Sequence, residues 1–236
     1  MPETLWDGGP ILYSAPGVFP MGTDSILLAD FARPGRRDRI LDLGTGSGIL
    51  PVLLLSKCPQ ARGLALELSP AACRLAEKNL AANGLSERCQ VLEGDLRQHR
   101  QLLEAGNWDL VVSNPPYFAA SSGFVAEKGL QDARSDGSCT LEDLCAAAGY
   151  GLKWGGRLCL VFRPERLCSL ISCLQTAGME PKRLLPVHHR PGESVNLILL
   201  EARRGGKPGL TWEPDLYLYT PEGQESPRLR AIYHRA

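Results

Sequence analysis

The sequence has no apolar run long enough to cross a membrane. Pro51, Ser56 and Lys57 break the longest one, near Ile49, and a spanning helix needs about 20 such residues. Nor is there any net charge, because 26 Lys and Arg residues balance 26 Asp and Glu residues. Overall charge therefore neither supports nor excludes a nucleic-acid partner, which must be met by a local patch. There is no CxxC pair, and His188-His189 has no cysteines at finger-like spacing, so no metal site is expected. The first residues, MPETLWDGGP, are acidic and glycine-containing, unlike a secretory leader. Internal repeats and long low-complexity tracts are absent as well. Eight cysteines are present, but a chain of this size needs no disulfide staples. Cys73, Cys145, Cys159, Cys168 and Cys173 fall at helix or strand positions, where thiols act as small hydrophobes. A reduced, cytoplasmic protein is expected, with no membrane segment and no obligate protein partner.

What is present suits one α/β domain with a small extension: 236 residues, 44% of them apolar and 22% charged. Strands are predicted over residues 39–43, 63–67, 89–92, 110–113 and 157–162, alternating with helices. The first helix follows over residues 49–57. Ser69 caps the next, with Pro70 at its first position and Asn83-Gly84 at its end. A third covers residues 141–152, and Trp154-Gly155-Gly156 reads as a turn. Leu167, Leu170, Ile171 and Leu174 then form an inward helical stripe. Two late strands, residues 183–187 and 195–201, lie too close for a crossover helix. They should pair antiparallel through Arg190-Pro191-Gly192-Glu193. The pattern predicts a seven-stranded doubly wound α/β sheet with its last two strands antiparallel. Residues 1–38 form an N-terminal segment, 39–204 the domain, and 205–236 a Gly-, Pro- and Tyr-rich extension on that domain.

DLGTGSG, residues 42–48, sits where the first predicted strand hands over to a helix. Glycines there let backbone approach a ligand closely, and the helix offers N–H groups. Glu67 closes the next strand, where a carboxylate can grip ribose hydroxyls, and Asp95 closes the third within Glu93-Gly94-Asp95-Leu96. Asp95 is placed to accept a hydrogen bond from an adenine amino group. The spacing is Gly-x-Gly-x-Gly, unlike the Gly-x-Gly-x-x-Gly of dinucleotide enzymes. A ligand with ribose and adenine but no pyrophosphate fits better, and S-adenosylmethionine is such a ligand.

Residues 114–117 read Asn-Pro-Pro-Tyr at the end of the fourth predicted strand. The prolines fix two φ angles and remove two donors, giving a stiff corner of unpaired carbonyls. The Asn114 side chain adds an acceptor, and Tyr117 offers a flat surface for a base. Asn114 Oδ1 and the Pro115 carbonyl can hold both protons of a conjugated NH₂ and aim its lone pair at an activated methyl. Alignment and electrostatics then supply the catalysis without a strong base. Phe118 and the Ala-Ser-Ser-Gly after it are read as the start of a flap over that group.

DLGTGSG, ALE, EGDL and SNPPY, in this order, resemble the class I S-adenosylmethionine-dependent methyltransferases that act on planar amides or amines. MGTDSILLADF, LKWGGRLCLVFRPERL, EARRGGKPGL and the late Ile232-Tyr233 narrow the resemblance. They look like the bacterial tRNA adenine-N6 methyltransferases that modify the adenine just 3′ of a valine tRNA anticodon. The resemblance spans nearly the whole chain. It implies S-adenosylmethionine as cofactor, tRNA as partner, and Thr23 and Asp24 closing over the cofactor, unless they serve as the N-cap of a helix from Ser25. The implied cofactor set is Thr23, Asp24, Asp42, Gly44, Thr45, Gly46, Gly48, Glu67, Leu68, Asp95, Leu96 and Asn114. Asn114, Pro115, Pro116 and Tyr117 would be catalytic, with Tyr117, Phe118 and Arg134 toward the substrate. The sequence departs from the family at Ser135 and Asp136, where a bulkier residue and a longer acid are common, and at Ala15-Pro16-Gly17-Val18, which is bland.

Four other readings are weighed at this level, of which a DNA adenine methyltransferase usually needs a separate target-recognition region, and none is visible. Protein glutamine methyltransferases also use Asn-Pro-Pro-Tyr, but resemble a catalytic domain preceded by a sizeable helical one, for which residues 1–38 leave no room. A non-catalytic cofactor- or RNA-binding module would have no reason to keep the corner. A nicotinamide oxidoreductase would prefer NAD. RNA suits a locally basic end: Lys182, Arg183, Arg190, Arg203, Arg204 and Lys207 stand against Glu193 and Glu201. Lys182, Arg183, Arg203 and Arg204 are the residues expected there to meet phosphates.

Overall fold

The computed structural model describes residues 2–20, 22–115 and 139–235. Two short strands, β1 (Glu3–Thr4) and β2 (Ile11–Leu12), and helix α1 (Thr23–Phe31) precede the alternating core. That core runs β3 (Arg39–Leu43), α2 (Ile49–Lys57), β4 (Arg62–Glu67), α3 (Pro70–Ala82), β5 (Cys89–Glu93), α4 (His99–Leu102) and β6 (Trp108–Ser113). It continues as α5 (Leu141–Gly151), β7 (Leu152–Phe162), α6 (Leu167–Thr176), β8 (Met179–His188) and β9 (Val195–Arg204). The tail adds β10 (Thr211–Trp212), β11 (Leu216–Tyr217) and α7 (Pro227–Ile232).

The seven main strands lie in the order β5-β4-β3-β6-β7-β9-β8, with β8 and β7 both antiparallel to β9. Side-chain alternation sorts the core into two layers. Ile40, Leu110, Val112 and Val161 face α1 and α2, together with Leu229 and Ile232 of α7. Leu41, Val111, Leu158 and Leu160 face α5 and α6 through Leu144, Ala148, Leu170 and Leu174. Helices on both faces explain why β3 and β6 are buried on successive residues rather than on alternate ones. Each fully buried leucine stabilises this arrangement by roughly 1.5–3 kcal/mol. Ser69 accepts from the backbone N–H of Ala72 and Pro70 opens α3, so that helix starts as its sequence predicts.

Three details differ from the sequence reading. Among the described residues the sheet has nine strands, because β10 and β11 pair parallel with the outer edge of β8 and cover backbone groups that an open edge would expose. Trp154-Gly155-Gly156 is not a separate turn but an irregularity inside β7. Trp108 pairs with Leu152 and Leu110 with Arg157, so extra residues bulge from β7. Gly155 takes φ +79° there. Helix α1 begins at Thr23, with Gly22 as its cap and no side-chain capping bond. Thr23 and Asp24 thus lie within the first turn rather than ahead of it, and Asp24 meets the positive end of the helix.

Candidate active site

The carboxyl ends of β3, β4, β5 and β6 form one side of the molecule, and the glycine loop starts there. Gly44 and Gly46 adopt φ +75° and +55°, and a Cβ on either would meet nothing within 4 Å. That open space is what a cofactor pressed against backbone requires. Gly48 differs: with φ +78°, its added Cβ would stand 3.0 Å from both Cα and Cβ of Ala76. It caps α2 and lets α2 approach α3, a packing role that the sequence alone does not assign to it.

Backbone bonds hold the loop rigidly. The N–H groups of Gly44 and Thr45 donate to the Leu66 carbonyl at 2.9 and 3.1 Å. Glu67 accepts from the N–H of Gly46 on one oxygen and of Ser69 on the other, each at 2.9 Å. Those bonds fix the carboxylate at the end of β4 while leaving each oxygen a second lone pair for a ribose hydroxyl. Leu68, beside it, is 62% exposed, an apolar surface suited to the face of a base. Asp95 lies at the end of β5, but Arg97 holds it: the guanidinium reaches its carboxylate at 2.5–3.0 Å and the backbone N–H at 2.9 Å. These bonds keep the Asp95 carboxyl below the usual carboxylate range. An adenine amino group would have to share that acceptor. Leu96 is half-buried in the short turn that follows.

Asp42 is fully buried under the loop, and Thr45 Oγ1 donates to its Oδ2 at 2.5 Å. Loss of water pushes its carboxyl up to about 7; the Thr45 bond opposes the rise and the Glu67 charge adds to it. Its Oδ1 has no hydrogen-bond partner. An orphaned acceptor, a cradle that Cβ atoms would fill and an anchored carboxylate together fit a cationic nucleoside cofactor.

The N-terminal segment is tied onto this crevice by two asparagines four residues apart, Asn79 on α3 and Asn83 at its C-cap. Asn79 accepts from the Tyr13 N–H at 2.7 Å and donates to the carbonyls of Tyr13 and Ser47. Asn83 exchanges bonds with the backbone of Ile11 in the same manner. The pair imitates a neighbouring strand and links residues 11–13 to the glycine loop. Thr23, at the start of α1, accepts from Tyr233 Oη at 3.2 Å.

At the end of β6, the Ser113 hydroxyl donates to the Leu43 carbonyl at 2.7 Å. This clamp sets Asn114 directly beside the start of the glycine loop. Asn114 Nδ2 donates to Ser25 Oγ at 2.9 Å, which turns the amide oxygen the other way. Pro115 is buried. Pro116, Tyr117, Phe118, Arg134, Ser135 and Asp136 lie outside the described residues. Sequence reasoning missed Ser25, Asn79 and Ser113. Polar residues at otherwise buried positions of α1, α3 and β6 were the available signal.

The sequence profile described as "Methyltransferase small domain" matches residues 10–171. The chain belongs to this methyltransferase family. A Tolumonas auensis protein named tRNA1(Val) (adenine(37)-N6)-methyltransferase is 33% identical over 90% of this chain and 87% of its own. An Aeromonas hydrophila protein of the same name is 35% identical over 78% of this chain and 77% of its own. Among solved structures, a predicted O-methyltransferase from Agrobacterium tumefaciens superposes with TM-score 0.73 at 25% identity, covering 90% of this chain and 96% of that one.

The methyltransferase-family match contains every residue from Asp42 to Asn114 named above, but ends before the late basic cluster. The structure does not bring Arg203 and Arg204 of that cluster to Asn114. Because β9 runs antiparallel, its last residues return to the amino ends of β6 and β7. Arg203 pairs with Arg157, which pairs with Leu110, about 13 Å along the strand from Asn114. Arg203 itself is exposed. Three others have structural partners. Arg183 pairs with Glu201 and Glu213, each at 2.7 Å. Arg204 donates to the carbonyls of Tyr150 and Leu152, and Lys182 to that of Lys207. No helix among the described residues is long and apolar enough to cross a membrane.

Proposed function

We propose that this chain transfers the methyl group of S-adenosylmethionine to N6 of an adenine in tRNA, next to the anticodon. The carrying observation is the 2.7 Å clamp between Ser113 and the Leu43 carbonyl, which holds the Asn114 corner against the glycine loop. The relatives' names support adenine in tRNA as the acceptor. In this reading Glu67 accepts the ribose hydroxyls, Leu68 and Leu96 flank the adenine of the cofactor, and Asp42 stiffens the loop from beneath through Thr45. The cofactor supplies a methyl group activated on sulfur.

Asn114 Oδ1 and the Pro115 carbonyl accept the two N6 protons of the target, orienting the nitrogen lone pair toward the loop. Alignment and fixed dipoles do most of the catalysis. Pro116 completes the rigid corner, and Tyr117 and Phe118 stack on the flipped base. Thr23 and Asp24 close over the cofactor from residues 1–38, and residues 39–204 form the catalytic domain. Residues 205–236 are an extension packed upon it. A tRNA substrate puts the protein's work in the cytoplasm.

The test is mass spectrometry of nucleosides after incubating the protein and cofactor with bulk tRNA. N6-methyladenosine in a valine tRNA is the expected product; methylated glutamine in a protein, and none in RNA, would overturn the reading. Asn114→Ala should cut transfer by about 100-fold or more while cofactor affinity stays within a few-fold. Parallel loss of both would make Asn114 a cofactor ligand.

A further inference from the structure

We propose that Ser25 is a positioning residue that fixes which end of the Asn114 amide faces the target amine. The inference rests on the function proposed above, in which Asn114 must present an acceptor. An asparagine amide has nearly the same shape in its two orientations, so sterics alone choose poorly between them. Hydrogen bonding must choose. The Ser25 hydroxyl lies in the first turn of α1, only 5% exposed, and accepts from Asn114 Nδ2 at 2.9 Å.

That bond commits the NH₂ end of the amide to α1, away from water. Oδ1 then points from α1, and the backbone beneath it cannot swing because Ser113 is bonded to the Leu43 carbonyl. Without the hydroxyl, a partly buried donor is left unsatisfied, and the amide gains by rotating to find another acceptor. A rotated amide presents NH₂ to an incoming NH₂, and two donors meet with no acceptor between them. The fault falls on the chemical step. The cofactor crevice, built from the glycine loop and Glu67, stays intact.

The experiment compares Ser25→Ala and Ser25→Thr with wild type, using cofactor Kd, KM for the acceptor, kcat and the thermal midpoint. Ser25→Ala should lower kcat about tenfold, equal to about 1.4 kcal/mol, with Kd and KM within twofold. Ser25→Thr, which keeps the hydroxyl, should recover most of it. Hydrogen exchange of the Asn114 side-chain amide, assigned through Asn114→Asp, should be slow in wild type and fast in Ser25→Ala. A kcat within twofold of wild type overturns the inference, as does a fall in cofactor affinity matching the fall in kcat/KM. Unchanged amide exchange overturns it too. Wild-type transfer to tRNA separately reports on the proposed function. If wild type methylates a glutamine-containing protein instead, the same kcat ratio and the exchange measurement still decide the role of Ser25.

Discussion

Replacing Gly48 and Gly46 by alanine separates packing from ligand contact within one loop. Both glycines have positive φ, at +78° and +55°, and a left-handed conformation costs an L-residue roughly 1–2 kcal/mol. The lost freedom of the unfolded chain returns about 0.4–1 kcal/mol. At Gly46 nothing lies within 4 Å of the new methyl, so the net change should be about 1 kcal/mol. At Gly48 the methyl stands 3.0 Å from both Cα and Cβ of Ala76, with no flexible side chain to give way. Overpacking of that kind adds roughly 1–3 kcal/mol, for a total near 3 kcal/mol. For a chain this long, 1 kcal/mol moves the midpoint by about 2–4 °C. Scanning calorimetry without cofactor should therefore put Gly48→Ala about 9 °C below wild type and Gly46→Ala about 3 °C below. With S-adenosylmethionine at 100 times Kd, wild type should gain about 2.7 kcal/mol. Gly46→Ala should gain little, and Gly48→Ala should keep most of the gain. Equal losses without cofactor would refute the packing argument. A full cofactor response in Gly46→Ala would refute the view that its open space belongs to the ligand.

Glu67→Ala should weaken cofactor binding and also destabilise the unliganded protein by about 2 kcal/mol, since two loop N–H groups lose a charged acceptor; unchanged affinity in calorimetric titration would sink the ribose assignment. Arg203→Glu should leave tRNA methylation and its salt dependence unchanged, because its side chain lies at the far end of the sheet. A flatter salt slope would put the RNA there. Asp42→Asn should remove a pH dependence of stability. The wild-type carboxyl titrates near 7 when folded, against 3.8 as its ordinary value. The unfolded chain therefore releases its proton first, and stability falls from about pH 4 to pH 7 by up to about 4 kcal/mol. Urea unfolding at pH 5 and pH 8 should show the variant gaining on wild type, and a constant difference would exclude the buried acid as the cause.

The sequence was most legible where chemistry is local. Ser69 and Pro70 start a helix by bonds and angles within three residues, and Arg39–Leu43 is apolar enough to be a buried strand wherever the sheet puts it. The glycine loop, Glu67, Asp95 and Asn114 come to one side of the sheet for the same reason, each standing at the carboxyl end of a parallel strand. Placement of the basic residues was not local. Lys182 to Lys207 form one cluster on paper, yet whether it meets the substrate depends on which way β9 runs. Antiparallel pairing sends Arg203 and Arg204 to the end of the sheet away from Asn114. Arg183 and Arg204 also have partners of their own, supplied by Glu201, Glu213 and two carbonyls distant in sequence. Gly48 is the subtler case. Its φ value was foreseeable, but its purpose lies in Ala76, on another helix.

The two ends of the chain meet near the start of α1, which bears on how the site is held. Tyr233, near the last residue, bonds Thr23 at the start of α1, and Trp6 packs against His234 with ring centroids 4.6 Å apart. Asn79 and Asn83 fix the strand between them to α3 and to the glycine loop. Helix α1 is short, and its cap makes no side-chain bond, so little within the helix itself holds its first turn. That turn carries Thr23, Asp24 and Ser25, and Ser25 holds Asn114. The orientation of the amide is therefore anchored through α1 to residues outside the alternating core. The C-terminal residues thus reach the first turn of α1 directly, through a hydrogen bond between Tyr233 and Thr23 that spans 210 positions of sequence.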